Sequence, residues 1–219
     1  MAEDLVLVNF NISPFGMRVR IALAEKGLEY EYKEENILSK SDLLFKINPV
    51  HKKVPVLIHK GKPVCESLII VEYIDEVWKN KSPILPSDPY QRAHAKFWAD
   101  YIEKKIFSLG KQVVLATEAG QEAANKELLD CFKLLEEELG DKPFFGGEGF
   151  GFVDLALVPF YSWFYTWAQC GLNVAEECPK LGPWARRCME RESVAQTLPD
   201  QHKVYAFFME MKKRLAGPN

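Results

Sequence analysis

Residues 5–27 have the sequence LVLVNFNISPFGMRVRIALAEKG. The first four residues are a continuous apolar run of strand length, which predicts a buried β-strand. Ser13 is a favourable N-cap, and Pro14 suits the first turn of a helix because its missing N–H would have no helical partner there. Apolar residues then recur on one helical face up to Gly27, a favourable helix stop. The stretch therefore predicts a strand followed directly by an amphipathic helix.

Strand and helix patterns continue to residue 78. A second strand is predicted near residues 29–34, a short helix over 40–47, a hairpin over 54–65 and a helix over 66–78. A strand–helix–strand unit implies a parallel pair of strands with a right-handed crossover. The order β-α-β-α-β-β-α predicts a thioredoxin-like α/β domain over residues 1–78.

The remainder of the chain has helical patterns only. Residues 79–89 contain three prolines among polar residues, which predicts a linker. Residues 90–219 are predicted to form an all-helical domain. Its predicted helices cover residues 90 to about 119, 126–139, 152–168, 179–191 and 201–215.

Composition narrows the classes of function. The 219 residues suffice for two small domains, and the net charge of −3 includes no basic excess of the kind that binds nucleic acid. Neither a membrane-spanning segment nor a signal peptide is expected, which indicates a cytoplasmic protein. Five cysteines without a CxxC pair, and four scattered histidines, predict reduced thiols and no metal site.

Ser13 is the first candidate for chemistry. Thioredoxin-like domains often carry a redox cysteine at the start of the first helix, where N–H groups and the helix dipole favour a thiolate. No cysteine precedes Cys65 here. A serine forms no mixed disulfide, but its hydroxyl can donate a hydrogen bond to a thiolate that a ligand brings. A plain helix cap is the alternative role, and this motif alone leaves the choice open.

Two later segments could bind a peptide-like ligand. In thioredoxin-like folds the proline that enters the third strand is typically cis, so the Val54–Pro55 bond is predicted to be cis. The backbone N–H and C=O of Val54 would then face a peptide-like ligand. Ser67, at the start of the next helix, can donate to a carboxylate, and Glu66 can accept from an ammonium group. Alternatively, Glu66 and Ser67 only form the acidic start and cap of a surface helix and bind no ligand. The nearby lysines that could face a second carboxylate are Lys40, Lys46, Lys52 and Lys53.

Three segments resemble a known family: SPFGMRVRIAL at 13–23, NPVHKKVPVL at 48–57 and CESLII at 65–70. Shorter matches at 84–86, 95–100, 145–147 and 151–154 extend the resemblance over the whole chain. The sequence is similar to the glutathione transferase family, and most of all to its plant tau class. The resemblance implies a thioredoxin-like N-terminal domain, an all-α C-terminal domain and a homodimer.

The resemblance also implies a reaction, the conjugation of glutathione, as co-substrate, to hydrophobic electrophiles in detoxification and stress response. Ser13 would stabilise the thiolate. The implied glutathione site comprises Ser13, Lys40, Lys53, Val54, Glu66 and Ser67. The sequence departs from the family pattern at one position. The family usually has Ser or Thr three residues before the Asp of its sixth helix, and here Gly151 occupies that position before Asp154. A side-chain cap is therefore not expected there.

An electrophile needs an apolar pocket. Trp163 and Trp167 are predicted to line it, although helical aromatic stripes usually belong to a core. The family layout adds Phe10, Phe15, Phe107, Lys111 and Phe208.

Other functions stay open. A non-catalytic carrier of hydrophobic ligands is the main alternative, motivated by the aromatic helix. A thiol reductase of glutaredoxin type is disfavoured because position 13 lacks a cysteine. Peroxide reduction by the bound thiolate stays open as a side activity. Expected partners are glutathione and small hydrophobic electrophiles, with no nucleic acid and no membrane.

Overall fold

The computed structural model describes residues 4–216, apart from the side chains of Glu118, Ala119 and Ala216. The chain divides between Leu85 and Pro86 into two compact units. This division falls inside the segment 79–89 that was predicted to be a linker. No helix in the described part is both long enough and apolar enough to cross a membrane.

The first unit contains a four-stranded mixed sheet. Its strands are β1 (Leu5–Asn9), β2 (Glu31–Glu34), β3 (Val56–His59) and β4 (Lys62–Cys65), in the order β2-β1-β3-β4. β1 pairs in parallel with β2 and antiparallel with β3, and β3 and β4 form a hairpin. The predicted parallel pair and the predicted hairpin are therefore confirmed, and the arrangement is thioredoxin-like.

Three helices complete the first unit: α1 (Pro14–Glu25), α2 (Asp42–Ile47) and α3 (Ser67–Val77). α1 and α3 bury the apolar faces that their periodicity predicts. Val77 is an exception, because it was predicted to lie on the apolar face of α3 and is 43% exposed. The helix ends at this residue, and the following Trp78 is buried instead.

A buried ion pair binds the end of the first unit to its helices. Lys26 Nζ lies 2.7 Å from Asp75 Oδ1, and both side chains are buried. The Asp75 carboxylate also accepts hydrogen bonds from the backbone N–H groups of Ile84, at 2.9 Å, and Leu85, at 3.1 Å. A buried carboxylate is tolerated when donors surround it. Ile84 and Leu85 were predicted to belong to a linker, but they are buried in the first unit.

The regular elements of the second unit, over described residues 86–216, are helices. They are α4 (Pro89–Leu115), α5 (Glu118–Leu139), α6 (Phe152–Leu157), a 3₁₀ helix (Val158–Trp163), α7 (Phe164–Gln169), α8 (Val174–Glu177), α9 (Leu181–Met189), α10 (Glu192–Ala195) and α11 (Gln201–Ala216). The predicted all-helical character is confirmed. α8 and α10 have four residues each and were not predicted.

The boundary between α4 and α5 was predicted wrongly. α4 ends at Leu115 rather than near residue 119, and α5 begins at Glu118 rather than at 126. Ala116 and Thr117 both have extended backbone angles, so the helix cannot continue through them. Gln121 Nε2 donates to the carbonyl oxygen of Val113 at 2.7 Å and satisfies one acceptor left free at the end of α4.

The predicted single helix over 152–168 is also wrong, because the segment consists of α6, the 3₁₀ helix and α7. Pro159 has no N–H and cannot continue the α-helical hydrogen bonds of α6. It lies in the first turn of the 3₁₀ helix, where the missing donor costs little. Ser162 Oγ donates to the carbonyl oxygen of Pro159 at 2.7 Å and closes that turn.

Asp154 organises the start of α6 despite the glycine at its N-cap. Its carboxylate is fully buried and accepts from the N–H groups of Phe145 and Gly151 and from Nε1 of Trp184, at 3.0, 3.0 and 2.7 Å. Burial raises the pKa of Asp154 to about 6, and the three donors oppose that rise. The residue is therefore ionised at pH 7, and its own side chain supplies the helix-start bond to Gly151.

We expect Asp154→Asn to destabilise the protein by about 2–4 kcal/mol at pH 7.5, measured by urea unfolding. An amide has one acceptor oxygen, so its NH₂ group would face one of the three donors. Asp141 offers a matched control, because it is largely exposed and pairs only at the surface with Lys180. Asp141→Asn should change stability by less than about 1 kcal/mol. Equal losses in the two variants would contradict the role of Asp154.

Candidate functional site

Ser13 is the N-cap of α1. Its Oγ accepts from the backbone N–H of Gly16 at 3.4 Å, which is longer than usual for such a bond, and its side chain is partly exposed. A hydroxyl that accepts a bond still has its own hydrogen to donate. The first turn of α1 carries no acidic side chain that would weaken the positive end of the helix. Ser13 can therefore both cap the helix and donate to an anion.

The start of α1 is packed closely against the end of β1. A Cβ atom at Gly16 would lie 1.8 Å from Oδ1 of Asn9, whose side chain is fully buried. A buried neighbour has no room to withdraw, so only glycine fits here. This close approach fixes where Ser13 lies relative to the sheet.

The segment before β3 contains the predicted cis peptide bond, between Val54 and Pro55. Buried Asn48 holds this segment in place. Its Nδ2 donates to the carbonyl oxygen of Lys53 at 2.9 Å, and its Oδ1 accepts from the N–H of His51 at 3.1 Å. Sequence reasoning assigned no role to Asn48, and the only local signal is an asparagine before a proline in a turn.

Glu66 and Ser67 lie where β4 meets α3. Glu66 has φ +70°, a left-handed conformation that costs a non-glycine residue roughly 1–3 kcal/mol. Its side chain is 47% exposed, and Oε1 lies 3.9 Å from Nε2 of His51. Ser67 opens α3 and is almost fully buried. The structure thus places Glu66 immediately before α3 and Ser67 at its first residue, and their contact with a ligand stays a prediction.

Arg18 joins the start of α3 to α1, and sequence reasoning missed it. This residue of α1 is fully buried, and its Nη1 donates to Oγ of Ser67 at 3.1 Å. Its guanidinium carbon lies 5.2 Å from the centre of the Phe15 ring. Within the first unit, Arg18 thus connects α1, which Ser13 caps, to Ser67. His51, in the segment that leads to Val54, lies near Glu66. These two contacts bring together the three segments that carry the proposed site residues.

The two predicted lysines, Lys40 and Lys53, have exposed side chains. Lys40 precedes Ser41, whose N–H and hydroxyl both donate to Glu35, at 2.8 and 2.6 Å. Glu35 is buried, so it fixes the backbone next to Lys40. After Asn48 and Arg18, Glu35 is the third residue of this region whose role sequence reasoning missed.

The residues predicted to form a hydrophobic pocket have differing environments. Phe10 and Phe15, in the first unit, are half-buried. In the second unit Trp167 has no exposed surface, and its Nε1 donates to the carbonyl oxygen of Gly110 at 3.1 Å. Trp163 and Phe208 are also buried, with ring centres 4.6 Å apart. These three residues have the surroundings of a core, and their contact with a ligand stays a prediction.

Phe107 and Lys111, by contrast, border open space. They line a groove of about 420 Å³ along α4, together with Leu115. Lys111 Nζ lies 5.9 Å from the centre of the Phe107 ring, within cation–π distance. Among residues 4–216, with the side-chain gaps stated above, His, Cys, Asp and Glu form no group that could hold a metal ion. All five cysteines are free thiols.

The backbone conformation of Glu66 gives a testable prediction. Glycine adopts positive φ without the steric cost that alanine incurs, so Glu66→Gly should be about 1 kcal/mol more stable than Glu66→Ala in urea unfolding. Glu72, inside α3, is the matched control. There the order should reverse, because glycine is unfavourable by about 1 kcal/mol in a helix interior. An alanine variant as stable as the glycine variant at position 66 would contradict the strained conformation.

Comparisons with known proteins agree with this geometry. Residues 3–76 match the model of the glutathione S-transferase N-terminal domain, and residues 118–187 match that of the C-terminal domain. Glutathione S-transferase 3 of Glycine max is 57% identical over 216 residues, which cover 98% of this chain and 99% of the relative. Glutathione S-transferase U25 of Arabidopsis thaliana is 54% identical, with 98% of both chains covered.

Solved structures extend the comparison to three dimensions. The rice enzyme GST1 (OsGSTU1), crystallised with glutathione, superposes with a TM-score of 0.94 at 47% identity and covers 98% of each chain. The tau class transferase MiGSTU from mango superposes with a TM-score of 0.89 at 42% identity, covering 95% of this chain and 98% of its own. The chain belongs to the glutathione S-transferase family and, within it, to the plant tau class.

Proposed function

We propose that this protein conjugates the thiol of glutathione to hydrophobic electrophiles. The observation that carries the proposal is the partly exposed hydroxyl of Ser13 at the start of α1, where a redox cysteine would stand in a thiol reductase. A thiol placed there meets the Ser13 O–H and the positive end of the helix dipole, and both stabilise the thiolate. The thiol proton leaves to solvent, and the sulfur lone pair forms the new S–C bond at the electrophilic carbon. With a haloarene, the carbon–halogen bond breaks and halide departs with the bonding electrons.

The remaining contacts of glutathione follow from the charges at the site. The exposed Glu66 carboxylate would accept from the α-ammonium group of the γ-glutamyl residue, and the Ser67 hydroxyl would donate to its α-carboxylate. The backbone of Val54 would pair with the peptide part. Lys40 and Lys53 would attract the glycyl carboxylate. The glutathione complex of the rice relative supports glutathione as the co-substrate.

We assign the electrophile to apolar surface that includes Phe107 and Lys111. The groove along α4 supports this assignment, since it offers an aromatic ring beside a cation. Phe10, Phe15, Trp163, Trp167 and Phe208 remain proposed pocket residues. A cytoplasmic role in detoxification and stress response completes the proposal, and the five free cysteines fit a reducing compartment.

Ser13→Ala tests the chemistry directly. We expect kcat/KM with a haloarene electrophile to fall by about 10²- to 10³-fold, the loss typical of removing one donor to a developing negative charge. The activity should still rise with pH, because the thiolate is the reactive form. Its apparent pKa should move up towards about 8.5, the value of an ordinary thiol. Steady-state rates from pH 6 to 9 measure both changes, while calorimetry should show that glutathione still binds.

Loss of the helix cap alone must be separated from loss of chemistry. Asp88 caps α4 by accepting from the N–H of Gln91 at 2.9 Å, so Asp88→Ala removes a comparable cap at a different helix. It should cost about 1 kcal/mol of stability and leave the pH profile unchanged. Near-normal turnover by Ser13→Ala would overturn the proposal. Tight binding of hydrophobic dyes by a wild-type protein that accelerates no conjugation would favour the carrier function instead.

The homodimer gives a separate prediction. Each unit exposes large apolar side chains that a partner could cover: Val50, Ile69, Tyr90 and Phe97. Exposed apolar surface of this kind favours association. We expect sedimentation velocity at micromolar concentration to show one species of twice the 25.1 kDa chain mass. A species with the mass of a single chain would contradict the dimer.

A further inference from the structure

We propose that Trp167 is a positioning residue for the electrophile, which acts through the backbone of Gly110 in α4. The inference rests on the proposed function, because it concerns the groove along α4 to which the electrophile is assigned. Trp167 has no exposed surface, and the proposed role needs no contact between its indole and the electrophile. The indole packs against the same part of α4 that carries Phe107 and Lys111.

Gly110 allows α4 to lie directly against the indole. A Cβ atom at this position would lie 2.6 Å from Cζ2 and 3.1 Å from Cε2 of Trp167, closer than real Cβ atoms approach. The ring has no exposed surface, so it cannot withdraw into solvent. Glycine is unfavourable in the interior of a helix, and Gly110 lies well inside α4. The contact with Trp167 supplies the reason for a glycine at this position.

A hydrogen bond holds the same two residues together. Trp167 Nε1 donates to the carbonyl oxygen of Gly110 at 3.1 Å. A carbonyl oxygen has two lone pairs, so it can accept this bond in addition to a bond within the helix. If α4 moved away, the buried indole N–H would lose its partner, which is costly. The packing thus prevents closer approach and the hydrogen bond prevents separation, so α4 is fixed against α7 in both directions.

The groove depends on this contact through two connections. Phe107 and Lys111, which line the groove, lie within about one helical turn of Gly110, so a shift of the helix there moves both side chains. Trp163 provides the second connection. Its ring centre lies 5.7 Å from that of Trp167 and 5.9 Å from that of Phe107. Trp167 therefore determines where Phe107 lies both through the backbone of α4 and through packed rings.

The test compares Trp167→Phe with the matched control Trp184→Phe in steady-state turnover at saturating glutathione. Trp184 is also buried in the second unit, but its Nε1 donates to Asp154 instead of to α4. Each variant is measured with a haloarene and with a small aliphatic isothiocyanate, which would cover less of the groove. The ratio of the two kcat/KM values is independent of how much of the protein is folded, so a general loss of stability does not change it.

Trp167→Phe should lower kcat/KM for the haloarene about tenfold, because a displaced groove places the reacting carbon wrongly relative to the sulfur. For the isothiocyanate the loss should be less than about twofold, and KM for glutathione should stay within about twofold of the wild-type value. Trp184→Phe should change the ratio of the two kcat/KM values by less than about twofold.

Gly110→Ala tests the contact from the other side and keeps the indole N–H. The added methyl group must displace α4 or the ring, so a loss specific to the haloarene is again expected. The smaller ring in Trp167→Phe leaves room for this methyl group, so in that background Gly110→Ala should lower kcat/KM by less than about a further twofold. Gly182→Ala in α9 is the control, because a Cβ there would meet only ordinary contacts, at 3.6 and 3.8 Å.

The two single variants also guard against a failure to fold, since either one tests the role without the other. Equal losses for the two electrophiles, a raised KM for glutathione, or fully additive effects in the double variant would overturn the role of Trp167 while leaving the transferase proposal intact. A wild-type protein that conjugates glutathione to neither electrophile would overturn both.

Discussion

The close approach between Gly16 and Asn9 is the constraint on which the site depends. α1 can begin over the end of β1 only because position 16 has no side chain, since a Cβ would overlap the buried Asn9 amide. This contact determines the position of the first turn of α1, and with it the Ser13 hydroxyl and the positive end of the helix. A displacement of about 1 Å there would remove much of the advantage of a preplaced donor. The position of the Ser13 hydroxyl thus depends on how α1, which follows it, packs against β1, which precedes it.

The proposed site uses two helix starts in one thioredoxin-like unit. α1 is assigned to the sulfur and α3 to the γ-glutamyl group, and each carries a serine at or next to its cap. Arg18 connects them, because it extends from the second turn of α1 to Ser67. The Ser67 hydroxyl, which is proposed to bind the γ-glutamyl group, is therefore held in place in the unliganded protein. Donors that are already in place favour binding, because fewer side chains lose conformational freedom when the ligand binds.

Local pattern predicted most of the first unit. The strand–helix–strand order, the β3–β4 hairpin and the cis bond before Pro55 all followed from local sequence read within a thioredoxin-like frame. Within the second unit the pattern failed where a side chain or a proline changes hydrogen bonding locally. Gln121 satisfies the end of α4, and Pro159 divides the segment after Phe152. Sequence reasoning missed Arg18, Glu35 and Asn48. Their roles depend on contacts with residues in other segments or across a turn, and residues of these types usually lie on the surface.

Two features that cost stability lie at the proposed binding site. Glu66 has a left-handed backbone conformation, and Arg18 is a cation without exposed surface, so both reduce stability unless their surroundings compensate. Similar features occur elsewhere in the first unit, since Lys60 also has a positive φ and buried Lys26 pairs with Asp75. Backbone strain or a buried charge alone therefore does not identify a binding residue. What distinguishes Glu66 and Arg18 is their place at the start of α3, where the segments that carry Ser13, Val54 and Ser67 meet, and departures from local rules are expected where a site is shaped for a ligand.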